Sequence, residues 1–396
     1  MPDLTRICIF VFWLCAAQIF YAFIGYPLIL IVAACVNQVF SDARYAVSRG
    51  QRRQRSGGHE SFGVSLVFAA HDEAEIIEEK MRNCGALNYP GVIEILVGCD
   101  ACSDDTAVLA RASGLPNLHV SDYRERSGKP MVLNRMVPQA AGEIVVFSDA
   151  NTMLDRDAIL HITRHFADPD VGCVSGELHF TTHNGAVKSE GAYWRYEQLL
   201  KFFESRLNML VGANGGVFAI RRELFTPLPR FAIIDDFLIA MRIRAAGYKV
   251  VYDPQAIAYE ETAADARQEF QRRKRIGAGA FHALRYTWKL LLPTAGSVCF
   301  SYWSHKIFRW LVPFALAFGL LCAIFLSGYA FYRYAALVGL GVIAAASYGY
   351  SLEVRGRAAG IFSIPYYFLS MNLALMLGFF RFLAGSQTGI WRRTAR

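Results

Sequence analysis

The sequence predicts an α/β domain with a parallel sheet of βαβ units, bracketed by apolar helices of membrane-spanning length. Three observations carry this. From Ser61 onward, apolar runs of strand length alternate with helical segments, the pattern of repeated βαβ units. Three successive runs end in acidic or polar clusters, Asp72-Glu73, Asp100 and Asp149-Asn151, so carboxylates collect at the carboxyl edge of the sheet, where open α/β sheets bind ligands. Finally, Ile7 to Phe40, Trp310–Tyr332, Tyr334–Leu352 and Ala358–Phe380 contain no Asp, Glu, Lys, Arg or His, and a helix crosses a bilayer core in about 20 residues. Those four stretches explain why 54% of the 396 residues are hydrophobic and only 19% charged, a composition too apolar for a soluble enzyme.

The first apolar stretch is longer than one span requires and contains Gly25-Tyr26-Pro27. No polar turn divides it, so it reads as one tilted or kinked helix. A signal peptide has an apolar core of only about 7–15 residues and does not fit. Arg44, Arg49, Arg52, Arg53 and Arg55 follow, which places the end of this helix and the next segment in the cytoplasm. The net charge of +8 is accounted for by such membrane-flanking residues. No arginine stripe with interleaved aromatics lies elsewhere, so nucleic acid is not an expected partner. Nine cysteines are scattered, and Cys99/Cys102 form a single CxxC without a second pair. They read as free thiols of a reducing compartment, not as a zinc site.

Val64–Ala70 is a buried-strand pattern, followed by His71-Asp72-Glu73 and a helix over Ala74–Leu87 with acids in its first turn, as the helix dipole favours. Ile93–Gly98 is the second strand, ending in Cys99-Asp100-Ala101-Cys102-Ser103-Asp104 before a helix over Thr106–Ser113. His119-Val120 is a brief third strand, and Arg126-Ser127-Gly128-Lys129 leads into a helix through Val137. Ile144–Phe147 then delivers Ser148-Asp149-Ala150-Asn151. An Asp with an oxygen ligand two residues on suits a hard divalent cation held against a diphosphate, although both residues are also ordinary turn formers. Further on, Val171–Gly176 reads as strand and turn, Tyr193–Arg206 as helix, and Gly212-Ala213-Asn214-Gly215-Gly216 as a glycine-rich loop before the strand Val217–Ile220. Such glycines allow either close approach of a ligand or a tight turn. Asp235-Asp236 opens a helix over Phe237–Ala246, a position where Asp caps well. A Rossmann dinucleotide site is excluded because no GxGxxG follows the first strand, and no GxxxxGK[ST] marks a P-loop.

In this order, the motifs resemble those of family 2 glycosyltransferases, in the membrane-bound branch of the cellulose, chitin and hyaluronan synthases. The resemblance runs from about Ser61 to Leu284. It implies a glycosyltransferase-A fold, Rossmann-like, in the cytoplasm between N- and C-terminal transmembrane helices. It also implies an enzyme moving a hexose from a UDP-sugar donor, with Mg²⁺ or Mn²⁺, to a glycan or lipid-linked acceptor in extracellular polysaccharide or cell-envelope glycan synthesis. By the same resemblance Asp72-Glu73 stands where the family has Asn-Glu and helps seat the nucleotide. Asp100 contacts the uracil, with Ser103 and Asp104 completing the turn, and Arg126-Ser127-Gly128-Lys129 matches an RxGK loop with Lys129 near the nucleotide. Asp149 and Asn151 occupy the metal-binding DxD position with one charge fewer, and Gly215 belongs to a ligand-facing loop. Asp235-Asp236 replaces TED or EDD, making Asp236 the general base. Gln271, Lys274 and Arg275 fall on QxxRW. Lys for Arg loses two-pronged donation, and Arg for Trp removes an aromatic platform, a departure that bears on long-chain processivity.

The implied division is 1–40, N-terminal transmembrane helix; 41–60, basic linker; 61–280, catalytic domain; 281–307, interfacial amphipathic region; 308–385, transmembrane or re-entrant helices; 386–396, basic tail. Arg355 and Arg357 return the chain to the cytoplasm after a helical hairpin. Arg381, Arg392, Arg393 and Arg396 favour a re-entrant Ile361–Phe380 kinked at Pro365. The expected location is the plasma (inner) membrane, and an export partner is not legible. Two rival readings are a single-addition lipid glycosyltransferase and a catalytically silent sugar-nucleotide-binding scaffold.

Overall fold

The computed structural model describes residues 2–48, 61–181, 192–261, 266–357 and 359–385. The described residues form two compact units: one from within 1–29, 265–281 and 302–386, the other from within 30–264 and 282–301. Arg49, Arg52, Arg53 and Arg55 of the basic linker, and the whole 386–396 tail, lie outside the described residues.

The chain begins with α1 (Pro2–Phe20), a π-helical turn at Tyr21–Gly25, and α2 (Tyr26–Ser48). The expected kink is therefore a local widening of a continuous helix. Pro27 lacks the N–H that would bond back one turn, and a π turn immediately before it absorbs the mismatch.

In the α/β unit the elements run β1 (Val64–Ala70), α3 (Ala74–Gly85), β2 (Ile93–Asp100), α4 (Thr106–Ala112), β3 (Leu118–Tyr123), α5 (Lys129–Met136), β4 (Ile144–Ser148), β5 (Thr152–Leu154), α6 (Ala158–Thr163), β6 (Val171–Thr181), α7 (Ala192–Arg206), β7 (Val217–Arg221), α8 (Asp235–Ala245) and β8 (Lys249–Glu261). They form one eight-stranded sheet in the order β3-β2-β1-β4-β7-β6-β8-β5. Strands β3, β2, β1 and β4 are parallel, as the alternation predicts. The other half corrects that expectation: β7 runs antiparallel to both β4 and β6, and β5 antiparallel to β8. Hydrophobic periodicity reports burial and not direction, so a strand returning the opposite way looks the same in sequence.

Every residue of β1 and β4 is buried, which requires cover on both faces. Val64, Leu66, Phe68 and Ala70 share a core with Ile77 and Met81 of α3 and Ile159 and Ile162 of α6. The alternate residues Val67 and Ala69 pack with Val132 and Leu133 of α5 and Leu238 and Ile239 of α8. Phe147 and Phe218 stack across the β4/β7 junction, centroids 4.6 Å apart.

Two strands escaped the sequence reading. β5 has only three residues. β8 contains Pro254, and the β6/β8 register jumps from Ser175↔Tyr252 to Glu177↔Ile257. Pro254 and Gln255 bulge into solvent there, a usual way for a sheet to tolerate proline. Gly176 lets the backbone of Ala256 approach, since a Cβ on it would lie 2.3 Å from the Ala256 carbonyl oxygen.

After β8 come α9 (Ala266–Thr287), short 3₁₀ turns at Trp288–Leu291 and Pro293–Ala295, α10 (Ser297–Ser301), a second π turn at Tyr302–Ile307, α11 (Phe308–Phe325), α12 (Ala330–Val354) and α13 (Ser363–Leu383). Four helical stretches, 3–47, 297–325, 330–354 and 360–383, are long and apolar enough to cross a membrane. Pro365 does not break the last of them. It lies in the first turn of α13, where its missing N–H has no intrahelical partner to lose.

In the apolar unit polar side chains pair with one another: Tyr21 and Ser304 hydroxyls at 2.7 Å, and Trp13 Nε1 donating to the Tyr332 hydroxyl at 3.2 Å. Helices α9 and α13 touch at two glycines. A Cβ on Gly378 would lie 2.8 Å from Lys274 O and Ala278 N, and one on Gly277 would lie 3.1 Å from Leu375.

Candidate active site

Because β1, β2 and β4 are parallel neighbours, their three acidic ends do meet at one edge. After β1 the chain turns sharply at Asp72, φ 53°, and after β2 at Ala101, φ 54°. Asp72 Oδ1 accepts from Ser103 N at 2.7 Å and Ser103 Oγ at 3.1 Å, so those two predicted residues are joined. Asp104 Oδ2 accepts from Ala74 N at 3.0 Å, satisfying an exposed donor at the start of α3. Glu73 is the residue from which α3 departs.

Asp100 is fully buried. Its Oδ1 accepts from Ser127 N at 2.8 Å and Ser127 Oγ at 3.1 Å, and its Oδ2 from Gly128 N at 2.8 Å. The carboxylate is thus committed to the Arg126–Lys129 loop, with Gly128 at φ 90° supplying the backbone shape it needs. This anchoring delivers Lys129, the first residue of α5, to the centre of the edge.

There Lys129 Nζ lies 2.7 Å from Asp149 Oδ1 and 3.1 Å from Asp235 Oδ2. One ammonium therefore ties the end of β4 to the start of α8. Burial works to lower the basicity of Lys129, but the charges of Asp149 and Asp235 outweigh it and hold the group protonated well above the ordinary lysine range. Asp236, next to Asp235, behaves oppositely: burial first, then the charge of Asp235, raises its carboxyl to about 6, against the stabilising Phe237 N–H and Lys129. Gly215 lies against it, since a Cβ there would sit 3.2 Å from Asp236 Oδ2. Gly212, φ 91°, faces the Phe237 ring, so the glycine-rich loop covers the N-terminal end of α8.

Asn151 donates from Nδ2 to Glu260 Oε1 at 3.3 Å, which keeps its amide oxygen out of that contact. Asp149 keeps 34% of its side chain exposed, and its Oδ2 has no hydrogen-bond partner among the described residues. A carboxylate oxygen and an amide oxygen on one tight turn are hard donors of the type that Mg²⁺ and Mn²⁺ accept. Gln271, Lys274 and Arg275 lie on the part of α9 that belongs to the apolar unit.

Sequence reasoning missed Lys80, Asn83 and Glu260. Glu260 sits on the overlooked β8. Lys80 was legible: it shares a helical stripe with Ile77, Met81 and Cys84, all buried, and a lysine in an apolar stripe is a signal in itself.

A family model described as glycosyltransferase like family 2 matches residues 62–279, more than half of the chain. The poly-β-1,6-N-acetyl-D-glucosamine synthase of Staphylococcus aureus (strain COL) is 25% identical over 259 residues, 61% of this chain and 60% of that one. Its namesake from Staphylococcus epidermidis is 24% identical over 211 residues, 50% of this chain and 49% of that one. The chain thus spans at most about three fifths of the length of these relatives. Among solved structures, the mannosyltransferase PcManGT from Pyrobaculum calidifontis, in complex with GDP-Man and Mn²⁺, superimposes with a TM-score of 0.69 at 21% identity, over 94% of this chain and 99% of that one. That likeness covers the α/β fold and the apolar helices alike. By the extent of the family match, this chain belongs to the family 2 glycosyltransferases.

Proposed function

We propose that this protein is a membrane-embedded inverting glycosyltransferase that moves a sugar from a UDP-sugar to a hydroxyl of a glycan or lipid-linked acceptor, in extracellular polysaccharide or cell-envelope glycan synthesis. The observation that carries the reading is the junction at Lys129. A protonated lysine, a partly exposed carboxylate and an acid of raised pKa converge where three parallel strands end.

In this reading the Asp72–Ser103 turn and the Asp100-anchored loop seat the nucleotide. Asp149, with Asn151, would hold Mg²⁺ or Mn²⁺, which when bound would supply Lewis-acid charge at the leaving diphosphate. Lys129 adds positive potential at the same place, and Asp235 keeps Lys129 there. Asp236 takes the proton of the acceptor hydroxyl. The acceptor oxygen forms its bond to C1 as the C1–O bond to the diphosphate breaks, on the opposite face, and the nucleoside diphosphate leaves. A base with a pKa near 6 is ionised at neutral pH yet basic enough to be useful. Gln271, Lys274 and Arg275 are assigned to the donor side by the family pattern. The chain is read as residues 61–280 in the cytoplasm, anchored in the plasma (inner) membrane by the helices at both ends, with 281–307 lying at the interface.

A single-addition enzyme is the second reading. It is favoured by Arg275, which stands where processive members carry the tryptophan of QxxRW. The test is a screen of radiolabelled UDP-sugars, with GDP-mannose as a further donor, on membranes containing the native chain or Asp236→Asn. Transfer by the native chain that is lost in the variant is expected, and product length by mass spectrometry separates polymer from single addition. Full turnover by Asp236→Asn would overturn the assignment of the base.

A further inference from the structure

Behind the turn that carries Asp149 lies a buried lysine with no role in the chemistry above. Lys80, on α3, has no solvent-exposed surface. Its Nζ donates to Ser148 Oγ at 2.9 Å and to the Thr152 carbonyl. Ser148 and Thr152 are the residues immediately before and after Asp149-Ala150-Asn151. One helical turn along α3, Asn83 makes a reciprocal pair with the backbone of Leu154: Asn83 Nδ2 donates to Leu154 O at 2.7 Å, and Leu154 N donates to Asn83 Oδ1 at 2.9 Å. Within the turn, the Asp149 carbonyl accepts from Thr152 N at 3.1 Å and more distantly from Ser148 Oγ at 3.4 Å.

Burying an ammonium is expensive unless it is fully hydrogen-bonded or paired. Among the described residues no carboxylate lies within ion-pairing distance of Lys80; besides its two hydrogen bonds it has the Phe68 ring, 5.2 Å from Nζ, and at longer range the charge of Asp149. A methionine would fill the same space without the desolvation cost, so this lysine costs stability that its structural bonds alone do not explain. What it adds is position: together with Asn83 it fixes four turn-flanking groups, the Ser148 hydroxyl, the Thr152 carbonyl and the Leu154 carbonyl and N–H, to one rigid helix.

We propose that Lys80 and Asn83 are positioning residues, an i, i+3 pair on α3 that clamps both sides of the Asp149-Ala150-Asn151 turn so that Asp149 presents its free oxygen in the geometry that a divalent cation on a nucleoside diphosphate requires. The inference rests on the proposed metal role of Asp149. It assigns no contact with donor or acceptor to either residue. Partners that orient a metal ligand from behind are worth about 10–100-fold in metal affinity.

The test uses the full-length protein in detergent. Mn²⁺ binding is followed by electron paramagnetic resonance with UDP present, and UDP binding is measured separately without metal. Activity is titrated with Mn²⁺ alongside. In Lys80→Met the Mn²⁺ concentration giving half-saturation is expected to rise about 10-fold or more, with kcat at saturating Mn²⁺ and metal-free UDP binding near native values. Asn83→Ala and Ser148→Ala, each removing part of the clamp, are expected to shift the same midpoint less, and they carry the test if Lys80→Met does not fold. A purely structural lysine would lower the amount of folded enzyme without moving the Mn²⁺ midpoint. An unchanged midpoint in the folded variants overturns the clamp while leaving Asp149 as the metal ligand. Native protein that binds UDP with no dependence on Mn²⁺ overturns the metal reading itself, and the clamp with it.

Discussion

Replacing Asp236 by Asn separates the proposed role of this carboxylate as base from its energetic cost. The carboxyl is raised from 3.8 to about 6 by burial and by Asp235, and each unit of such a shift corresponds to about 1.36 kcal/mol. Sign matters here. A raised acid pKa means that the folded state resists ionisation, so the ionised group destabilises the fold at every pH above about 6. The penalty shrinks as pH falls and is gone below the unfolded value near 4. At pH 7.5 the ionised Asp236 therefore costs up to about 3 kcal/mol, a cost that a neutral amide of the same shape avoids. For a domain of this size about 1 kcal/mol moves the melting temperature by roughly 2–4 °C. Asp236→Asn is thus expected to melt several degrees higher than the native protein at pH 7.5, with the gap closing by pH 4. Transfer should fall by at least about 10²-fold, the usual contribution of a general base. Melting can be followed by tryptophan fluorescence of the detergent-solubilised protein across pH, and transfer by nucleoside diphosphate release. A variant that melts lower at pH 7.5 and keeps its activity would refute both the burial argument and the base assignment.

Other expectations follow from the same geometry. The rate of transfer by the native enzyme should fall below about pH 6 with the slope of one proton, as Asp236 is neutralised; a profile flat to pH 5 would contradict this. Gly215→Ala places a methyl group about 3.2 Å from Asp236 Oδ2. By further excluding water it should move the acid limb of that profile upward and lower the rate, which a pH–rate titration reads directly. Asp100→Asn replaces an acceptor of three hydrogen bonds by a group that also donates, at about 1.5–3 kcal/mol per charged bond lost. It should weaken UDP binding, measured calorimetrically, more than it lowers kcat. Asp149→Ala should abolish the restoration of activity by Mn²⁺ after chelation and dialysis, whereas native enzyme recovers.

Much of this was legible because burial and turn chemistry leave local marks. Val64–Ala70 and Ile144–Phe147 are unbroken apolar runs that end in acids, and parallel pairing of β1, β2 and β4 puts those ends together. Asp235-Asp236 was found for the same reason, as adjacent acids opening a helix. What was not legible depends on direction or on distant partners. The reversal of β7 leaves no periodic trace, and Pro254 disguised β8 although the sheet expels it as a bulge. Asp100 reads as a ligand-facing acid in sequence, while the fold shows it holding Ser127 and Gly128. Nothing in Arg126–Lys129 alone discloses that Lys129 reaches two carboxylates from separate elements.

The crossing of α9 and α13 has a mechanical consequence. With Gly277 and Gly378 at the contact, the two backbones approach closely, the small-residue packing that lets helices in lipid associate. The helix bearing Gln271, Lys274 and Arg275 thus meets the last apolar helix closely at these glycines, with Phe281 packed against Phe379 and Phe382 one turn further on. A change in the tilt of α13, of the kind bilayer thickness imposes on a spanning helix, would bear on the backbone of that basic segment at the glycine contact. For a membrane-spanning α13, the surrounding lipid would be a variable that bears on the orientation of α9.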